Sequence, residues 1–177
     1  MIFARANLDG LASRPVGLAV LTALMLFGEG GFSLRAAALV PYGSTNITPG
    51  SLFRFYAPLS THSKTIVARG GNKPVEQGIG GIVLPPRFDP TNRYSVLIVN
   101  GTSDGAGTSI PAMKHYTNAA ARLGWVVIAA DGPDGKPARD DLTWRWAMIV
   151  SALMRIHEEW PASRKWPVAL EIGRAHV

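Results

Sequence analysis

The stretch from Tyr94 to Pro133 most strongly limits what this chain can fold into. A short apolar run rich in β-branched residues, Ser95 to Val99, predicts a strand that is buried on both faces. A glycine-rich loop, an amphipathic segment and a second apolar run, Trp125 to Ala130, follow it. Two buried strands joined by a helix predict a βαβ unit with parallel strands. The sequence therefore favours an α/β fold.

The segment between these strands has the marks of one continuous helix. Ser109 is suited to cap its N-terminus, Pro111 is tolerated in its first turn, and Gly124 is suited to end it. Apolar residues recur between these ends at intervals of three and four: Ile110, Met113, Tyr116, Ala120 and Leu123. This spacing predicts that one face of the helix is buried.

Polar and small residues follow both strands. Ligands gather at the carboxyl ends of parallel strands, which here are the segments Asn100 to Thr108 and Asp131 to Gly135. Asn100 either orients the loop through its side-chain amide or simply ends the strand at a turn, and both alternatives remain open. Asp131 either hydrogen-bonds the neighbouring loop or lines the pocket, or it is a turn residue without a function.

A second helix is predicted over Leu142 to Trp160. Its expected buried stripe consists of Trp146, Ile149, Val150, Leu153 and Ile156. Trp144 either reaches a substrate cleft or packs in the core. A third parallel strand should begin at Trp166 and end at Leu170. It should be central in the complete domain, with its far edge exposed in this chain. Earlier in the chain, Ser51 to Ala57 and Thr65 to Ala68 are possible strands, and the glycines between Gln77 and Gly81 indicate a hairpin or loop.

The residues from Gly80 to Gly101 carry a family resemblance. They form an apolar strand, a Pro85-Pro86 break, an aromatic-Asp-Pro turn at Phe88, and a buried strand that ends in Asn100-Gly101. This order resembles the α/β-hydrolase superfamily, in particular secreted esterases and polyhydroxybutyrate-depolymerase-like enzymes. Those proteins have His-Gly where this chain has Asn100-Gly101. The resemblance covers about residues 80–170 and rests on this one motif together with the order of the elements.

The resemblance implies a three-layer α/β/α sandwich with a mostly parallel sheet, truncated after the strand that precedes the nucleophile elbow. Residues 39–170 would be the N-terminal part of that domain. The loop after the first buried strand would be the oxyanion loop, with Asn100, Gly101, Thr102 and Ser103 as candidates and the Thr102 N–H favoured. The nucleophile, acid and base would follow beyond residue 170, so no catalytic residue is expected within the chain. Such hydrolysis uses no cofactor and no metal, and the substrate would be a small-molecule or polymer ester.

The sequence also supports an expectation for each end of the chain. Residues 1–38 contain an uncharged apolar run, Val16 to Phe27, before an Ala36-Ala37-Ala38 cleavage motif, which predicts a signal peptide and export. An uncleaved membrane anchor is the alternative, and no stable membrane span is expected after cleavage. Residues 171–177, Glu-Ile-Gly-Arg-Ala-His-Val, match the translation of a common sequencing adapter. We therefore expect this tail to be foreign to the gene.

Composition and loop sequence limit the remaining classes. The net charge is +6, but the cations are scattered, so no nucleic-acid partner is expected. The absence of cysteine excludes disulfides, cysteine–zinc clusters and thiol catalysis. A nucleotide-binding α/β domain is a lesser alternative, because Thr108 and Ile110 stand where phosphate-binding loops require Lys or a third glycine. A non-catalytic exported binding module with a hydrolase-like fold would share every feature of the sequence.

Overall fold

A mixed sheet of five strands forms the centre of the described part of the chain. The computed structural model describes residues 38–73, 75–101, 108–133 and 141–171. Two short strands at the start of this part, β1 (Val40–Tyr42) and β2 (Thr45–Ile47), pair with each other as an antiparallel hairpin. The strands of the central sheet follow in chain order: β3 (Leu52–Pro58), β4 (Gln77–Val83), β5 (Val96–Val99), β6 (Val126–Asp131) and β7 (Val168–Glu171).

Helices alternate with these strands along the described part of the chain. The α-helices are α1 (Thr61–Arg69), α2 (Ser109–Ala112), α3 (Thr117–Leu123) and α4 (Asp141–Glu159). Two 3-10 helices, η1 (Met113–His115) and η2 (Pro161–Lys165), follow α2 and α4. The α/β class predicted from the sequence is therefore confirmed.

The strand order in the sheet is β3-β4-β6-β5-β7. β4 runs antiparallel to both of its neighbours, β3 and β6, whereas β5 runs parallel to β6 and β7. The expected predominance of parallel pairing is not confirmed, because the described sheet is evenly mixed. β5 and β6 are joined by a connection that contains α2 and α3, as parallel pairing of successive strands requires, whereas β3 and β4 pair antiparallel although α1 lies between them.

Three glycines of β4 were expected in a hairpin or loop, and this prediction was wrong. Gly78, Gly80 and Gly81 lie within the strand and pair with β3. They lack side chains because other side chains occupy the space: a Cβ on Gly80 would collide with the Phe55 ring, and one on Gly78 would lie 2.7 Å from Met148 Sδ. Glycine within a strand marks such a close approach.

The larger core lies on the face of the sheet that α1 and α4 cover. Side chains of all five strands or their flanks take part, and β6 contributes Val126, Ile128 and Ala130. The alternate residues of β6, Val127 and Ala129, point to the other face, where they pack with Ile110 of α2. Helices therefore cover both faces of the described sheet.

The continuous helix predicted over Ser109 to Leu123 is divided in two. A 3-10 turn and Tyr116, whose φ is −109°, separate α2 from α3. Gly124 ends α3 in the left-handed conformation, with φ +72°, as the sequence predicts. Because the break changes the helical phase, Leu123 does not share the buried face of Ile110 and is 67% exposed.

The buried stripe predicted for α4 was displaced around the helix. Trp146 is 53% exposed, and Val150 and Leu153 are only partly buried. Ile149 and Ile156 of the predicted stripe are buried, as expected. The rest of the buried face consists of small residues beside large ones: Trp144, Ala147, Met148, Ser151 and Ala152. Small side chains let α4 approach the sheet and α1 closely, a feature that a search for large apolar residues misses.

One further prediction about elements was wrong. Thr65 to Ala68 belongs to α1, which Ser60 caps by accepting the Ser63 N–H at 3.1 Å, so this segment is helical. The third parallel strand is present as β7, which pairs only with β5 in the described residues and lies at the edge of the described sheet. Within those residues, no helix is long and apolar enough to span a membrane.

Candidate functional site at the carboxyl ends of the parallel strands

The topology of the sheet points to the carboxyl ends of β5 and β6 as the place for a ligand. In the chain β5 leads to α2 on one face of the sheet, and β6 leads to α4 on the other face. Neighbouring strands whose connections leave toward opposite faces open a crevice between their carboxyl ends, and open α/β sheets bind ligands there. Asn100, Gly101 and Asp131 all lie at this edge of the sheet.

Asp131 caps the first turn of α2 from the neighbouring strand. Its Oδ1 accepts the backbone N–H of Ser109 at 2.6 Å, and its Oδ2 accepts that of Ile110 at 2.9 Å. The side chain is buried, with 7% exposed. A carboxylate is favoured at a helix N-terminus because the first N–H groups have no partner within the helix. Both carboxylate oxygens are therefore engaged in holding α2 against β6.

Ser109 connects the end of β5 with α4. It is the first residue of α2, not the cap that the sequence predicts, and it is fully buried. Its Oγ accepts the Gly101 N–H at 3.1 Å and an N–H from Arg145 Nη1 at 3.1 Å. The Gly101 N–H is thus occupied by a protein acceptor, which argues against Gly101 as an oxyanion donor in this arrangement.

Asn100 contacts the neighbouring strand. Its Nδ2 donates to the backbone oxygen of Glu171, the last residue of β7, at 3.2 Å. Its Oδ1 is buried and has no hydrogen-bond partner. The sequence left open whether Asn100 orients the loop or only ends the strand at a turn. Neither alternative includes this contact, in which the side-chain amide bonds to the neighbouring strand β7.

Trp144 lies in the core, near the end of β6. It is 5% exposed and packs so closely on Gly132 that a Cβ there would collide with its indole ring. Its Nε1 is buried without a hydrogen-bond partner. Of the two alternatives for Trp144, a substrate cleft or the core, the ring contacts therefore support packing in the core.

Two of the predicted site residues, Thr102 and Ser103, lie outside the described residues. The proposal that their N–H groups stabilise an oxyanion therefore stays a prediction. Arg145 was not recognised from the sequence, because it sits between Trp144 and Trp146 in a helix whose polar positions gave no reason to distinguish it. Ser109 was recognised only as a helix cap.

A serine and a histidine also lie together at the end of α4. His157 Nδ1 is 2.6 Å from Ser163 Oγ. Ser163 is 3% exposed, so its hydroxyl is closed to a substrate, and burial lowers the pKa of His157, as does Arg164. We interpret the pair as a structural link between α4 and η2. In the described part of the chain, no three His, Asp or Glu side chains form a group that could hold a metal ion.

A shallow cavity of about 220 Å³ lies away from the parallel strand ends, between the end of β3 and α4. Leu59, Ser60, Met154, Arg155 and Glu158 are among its lining residues. The charged groups there are paired, since Arg155 Nη1 lies 3.3 Å from Glu158 Oε2 and Nη2 lies 2.7 Å from Glu159 Oε1. The predicted site residues do not line this cavity.

No family model, curated protein or solved structure matches the chain.

Proposed function

We propose that this chain is the N-terminal part of an exported serine hydrolase of the α/β-hydrolase class that cleaves a small-molecule or polymer ester. The chain supplies the leading strands and the oxyanion side of the active site. The nucleophile, the acid and the base follow in the remainder of the full-length product of the gene, in the order Ser, Asp or Glu, His. The domain is then a three-layer α/β/α sandwich.

The order of strands in the sheet is the observation that carries this proposal. β5 is the third strand of the sheet in chain order, and α2 follows it. The loop between the third strand and the helix that follows it is where α/β-hydrolases draw one of their oxyanion donors. β7 is the fifth strand, after which this fold presents its nucleophile. Asn100 and Gly101 thus precede the expected donors Thr102 and Ser103.

The connections after β5 and β6 give further support. They leave toward opposite faces of the sheet, and the nucleophile elbow of this fold exposes its serine at that carboxyl edge. The hydrogen bonds that the Asp131 and Ser109 side chains accept fix the backbone around this edge, and a fixed backbone is what stabilises an oxyanion without reorganisation. Asp131 acts in this proposal as a supporting residue, since both of its oxygens already accept backbone N–H groups.

The test uses the full-length product of the gene. We expect its sequence to continue after β7 into a G-x-S-x-G turn, and the purified protein to hydrolyse p-nitrophenyl butyrate and to be labelled by a fluorophosphonate. Replacing the serine of that turn by alanine should abolish both. A turn without serine, in a folded protein that fluorophosphonate does not label, would overturn the proposal in favour of the binding module. Saturable binding of ATP or NAD would favour the nucleotide-binding alternative.

The oxyanion prediction is tested by a matched pair of variants at Thr102. Thr102→Pro removes the backbone donor, whereas Thr102→Ala keeps it. Loss of one such donor lowers kcat by about 100- to 1,000-fold in known enzymes. We expect Thr102→Pro to lower kcat with little change in KM, and Thr102→Ala to be much milder. Equal behaviour of the two folded variants would exclude the Thr102 N–H as the donor.

A further inference from the structure

Four exposed cations from three separate segments lie at one edge of the sheet. Arg122 is in the last turn of α3 before β6, Arg93 precedes β5, and Arg164 and Lys165 end η2 before β7. Because β6, β5 and β7 are adjacent and parallel, their amino ends meet at the same edge. We call these four residues the basic edge. Strand order thus brings together cations that are scattered in the sequence.

Hydrogen bonds join the three segments that carry the basic edge. The Val126 N–H donates to the Ser95 backbone oxygen at 2.9 Å, which connects the start of β6 with that of β5. Trp166 Nε1 donates to the Asn92 backbone oxygen at 3.0 Å, which connects η2 with the residue before Arg93. Neighbouring strands lie about 4.8 Å apart, so the three strand ends span about 10 Å. That span is about one Debye length at ordinary ionic strength, so the four charges act together.

The acidic groups nearby leave most of this charge uncompensated. None of the four cations forms an ion pair with a described residue. Glu158 and Glu159, at the end of α4, both form ion pairs with Arg155. Asp89 is exposed and lies two residues from the exposed Arg87 in the sequence. The basic edge therefore has an excess of positive charge, which attracts a polyanion.

Apolar and amphipathic side chains beside the cations indicate which polyanion fits. Leu123, next to Arg122, is 67% exposed. Trp125 and Tyr94 lie at the starts of β6 and β5, where each is partly exposed and packs against the core. Such half-wet Trp and Tyr rings are favoured at the interface of a bilayer. A nucleic-acid backbone, which is bound through its phosphates, would make no use of an exposed leucine.

We propose that the basic edge binds the surface of an anionic membrane. Its cations contact the lipid headgroups, and Leu123 enters the interface between headgroups and acyl chains. The candidate site at the carboxyl ends of the same strands lies at the opposite edge of the sheet, so it stays open to solvent in the bound protein. This inference goes beyond the proposed function and does not depend on it, because membrane binding requires no catalytic residue.

The test measures co-sedimentation with vesicles of the full-length product of the gene, in the mature form expected to begin near Leu39. Vesicles of phosphatidylcholine mixed with phosphatidylglycerol should bind it, vesicles of phosphatidylcholine alone should not, and added salt should release it. One cation near an anionic bilayer strengthens binding by about fivefold, so the double variant Arg93→Gln/Arg164→Gln should bind about 25-fold less tightly. Leu123→Ser should weaken binding several-fold without changing its salt dependence.

A matched control separates the basic edge from the overall charge of the protein. Arg54→Gln/Arg69→Gln removes the same charge from exposed positions of β3 and α1 and should bind nearly as tightly as the wild type. An equal loss in the two double variants would overturn the proposal, and so would equal binding to both kinds of vesicle. Binding to double-stranded DNA without binding to anionic vesicles would overturn it in favour of a nucleic acid. Esterase activity enters none of these measurements, so a failure of the proposed function leaves them unchanged.

Discussion

At the scale of single residues, the hydrogen bonds at the carboxyl edge of the sheet connect three elements through side chains. Asp131 joins β6 to α2, Ser109 joins α2 to the end of β5, and Arg145 joins α4 to Ser109. Each bond is between residues distant in the sequence, so none of them follows from local pattern. The burial of Asp131 and Ser109 makes these bonds expensive to break, because an unpaired polar group would remain in the core.

Asp131→Asn should destabilise the full-length protein. The amide keeps one acceptor for a backbone N–H of α2 but turns its NH₂ group toward the other N–H, so one charge-assisted bond is lost and a donor is left unpaired. We expect the free energy of unfolding to fall by about 2–4 kcal/mol in urea titrations. Asp89→Asn is the control, because Asp89 also accepts two bonds, from Thr91, but is exposed. An equal loss in both variants would contradict the role assigned to burial.

The second prediction at this scale concerns His157 and pH. Burial is the main cause that lowers the pKa of His157, and Arg164 lowers it further. The unfolded chain therefore binds a proton at a higher pH than the folded protein does. Neutral His157 therefore contributes its full stability above pH about 6.5, the ordinary pKa of histidine, which the unfolded chain retains. This contribution is lost as the pH falls through the lower pKa that His157 has in the folded protein.

The measurement compares unfolding free energies between pH 7.5 and pH 5.5. We expect the full-length wild-type protein to lose stability over this interval and its His157→Gln variant to lose less. His62→Gln, at an exposed position of α1, should follow the wild-type slope. If His157→Gln keeps the full pH dependence, another group is responsible for it.

At the scale of elements, the two tryptophans near the start of α4 differ in a way that the sequence did not predict. The sequence left open whether Trp144 lines a pocket or packs in the core, and this residue is buried. Trp146 was predicted to belong to the buried stripe, yet it is 53% exposed. The two tryptophans are two positions apart and therefore lie on nearly opposite sides of the helix, but periodicity did not show which of them faces the core. The close contact of Trp144 with Gly132, which lies just after β6, decides the orientation of the helix.

Substitution of these two residues should give opposite results. Trp144→Ala removes a buried ring and leaves a cavity, and such changes lower the free energy of unfolding by about 3–5 kcal/mol. Trp146→Ala should change it by no more than about 0.5 kcal/mol, as exposed substitutions usually do. Acrylamide quenching of Trp146, but not of Trp144, in single-tryptophan variants would verify the assignment. A larger loss for Trp146→Ala would show that α4 is rotated.

The elements predicted best are those whose signal is local and strong. Buried runs predicted β5 and β6 to within a residue or two, and Gly124 marked the end of α3. The end of β4 was predicted from its apolar run, but the part from Gln77 to Gly81 was missed because its glycines make room for Phe55 and Met148, which come from other elements. The site was predicted only in its location, since the partners of Asn100, Ser109 and Asp131 are set by strand order, which no local pattern records.

At the scale of the whole molecule, the edge of the sheet at β7 carries exposed apolar groups. Val168 is 53% exposed and Leu170 is 46% exposed, and they lie on the same side of the strand as the buried Val96 and Ile98 of β5. In the described residues β7 has no partner on its other side. Unpaired N–H and C=O groups beside exposed apolar side chains promote pairing between chains.

We therefore expect the 177-residue chain, produced alone, to be insoluble or to form oligomers without a cooperative melting transition. Sedimentation velocity and calorimetry provide the measurement. Leu170→Lys should reduce the association because charge blocks an edge strand. Tyr56→Lys, which adds the same charge at the exposed Tyr56 on the opposite edge strand β3, should not. A monodisperse monomer with a sharp transition would contradict this prediction.

The strand order also has a consequence for how the protein emerges from the ribosome. β3 and β4 are neighbours in both sequence and sheet, so they can pair while the rest of the chain is still being synthesised. β5 appears next but has no place beside β4, because β6 fills that position. Until β6 has been synthesised, the apolar strand β5 has no neighbouring strand with which to pair in the nascent chain. This interval is the one in which binding by a ribosome-associated chaperone would most increase the yield of folded protein.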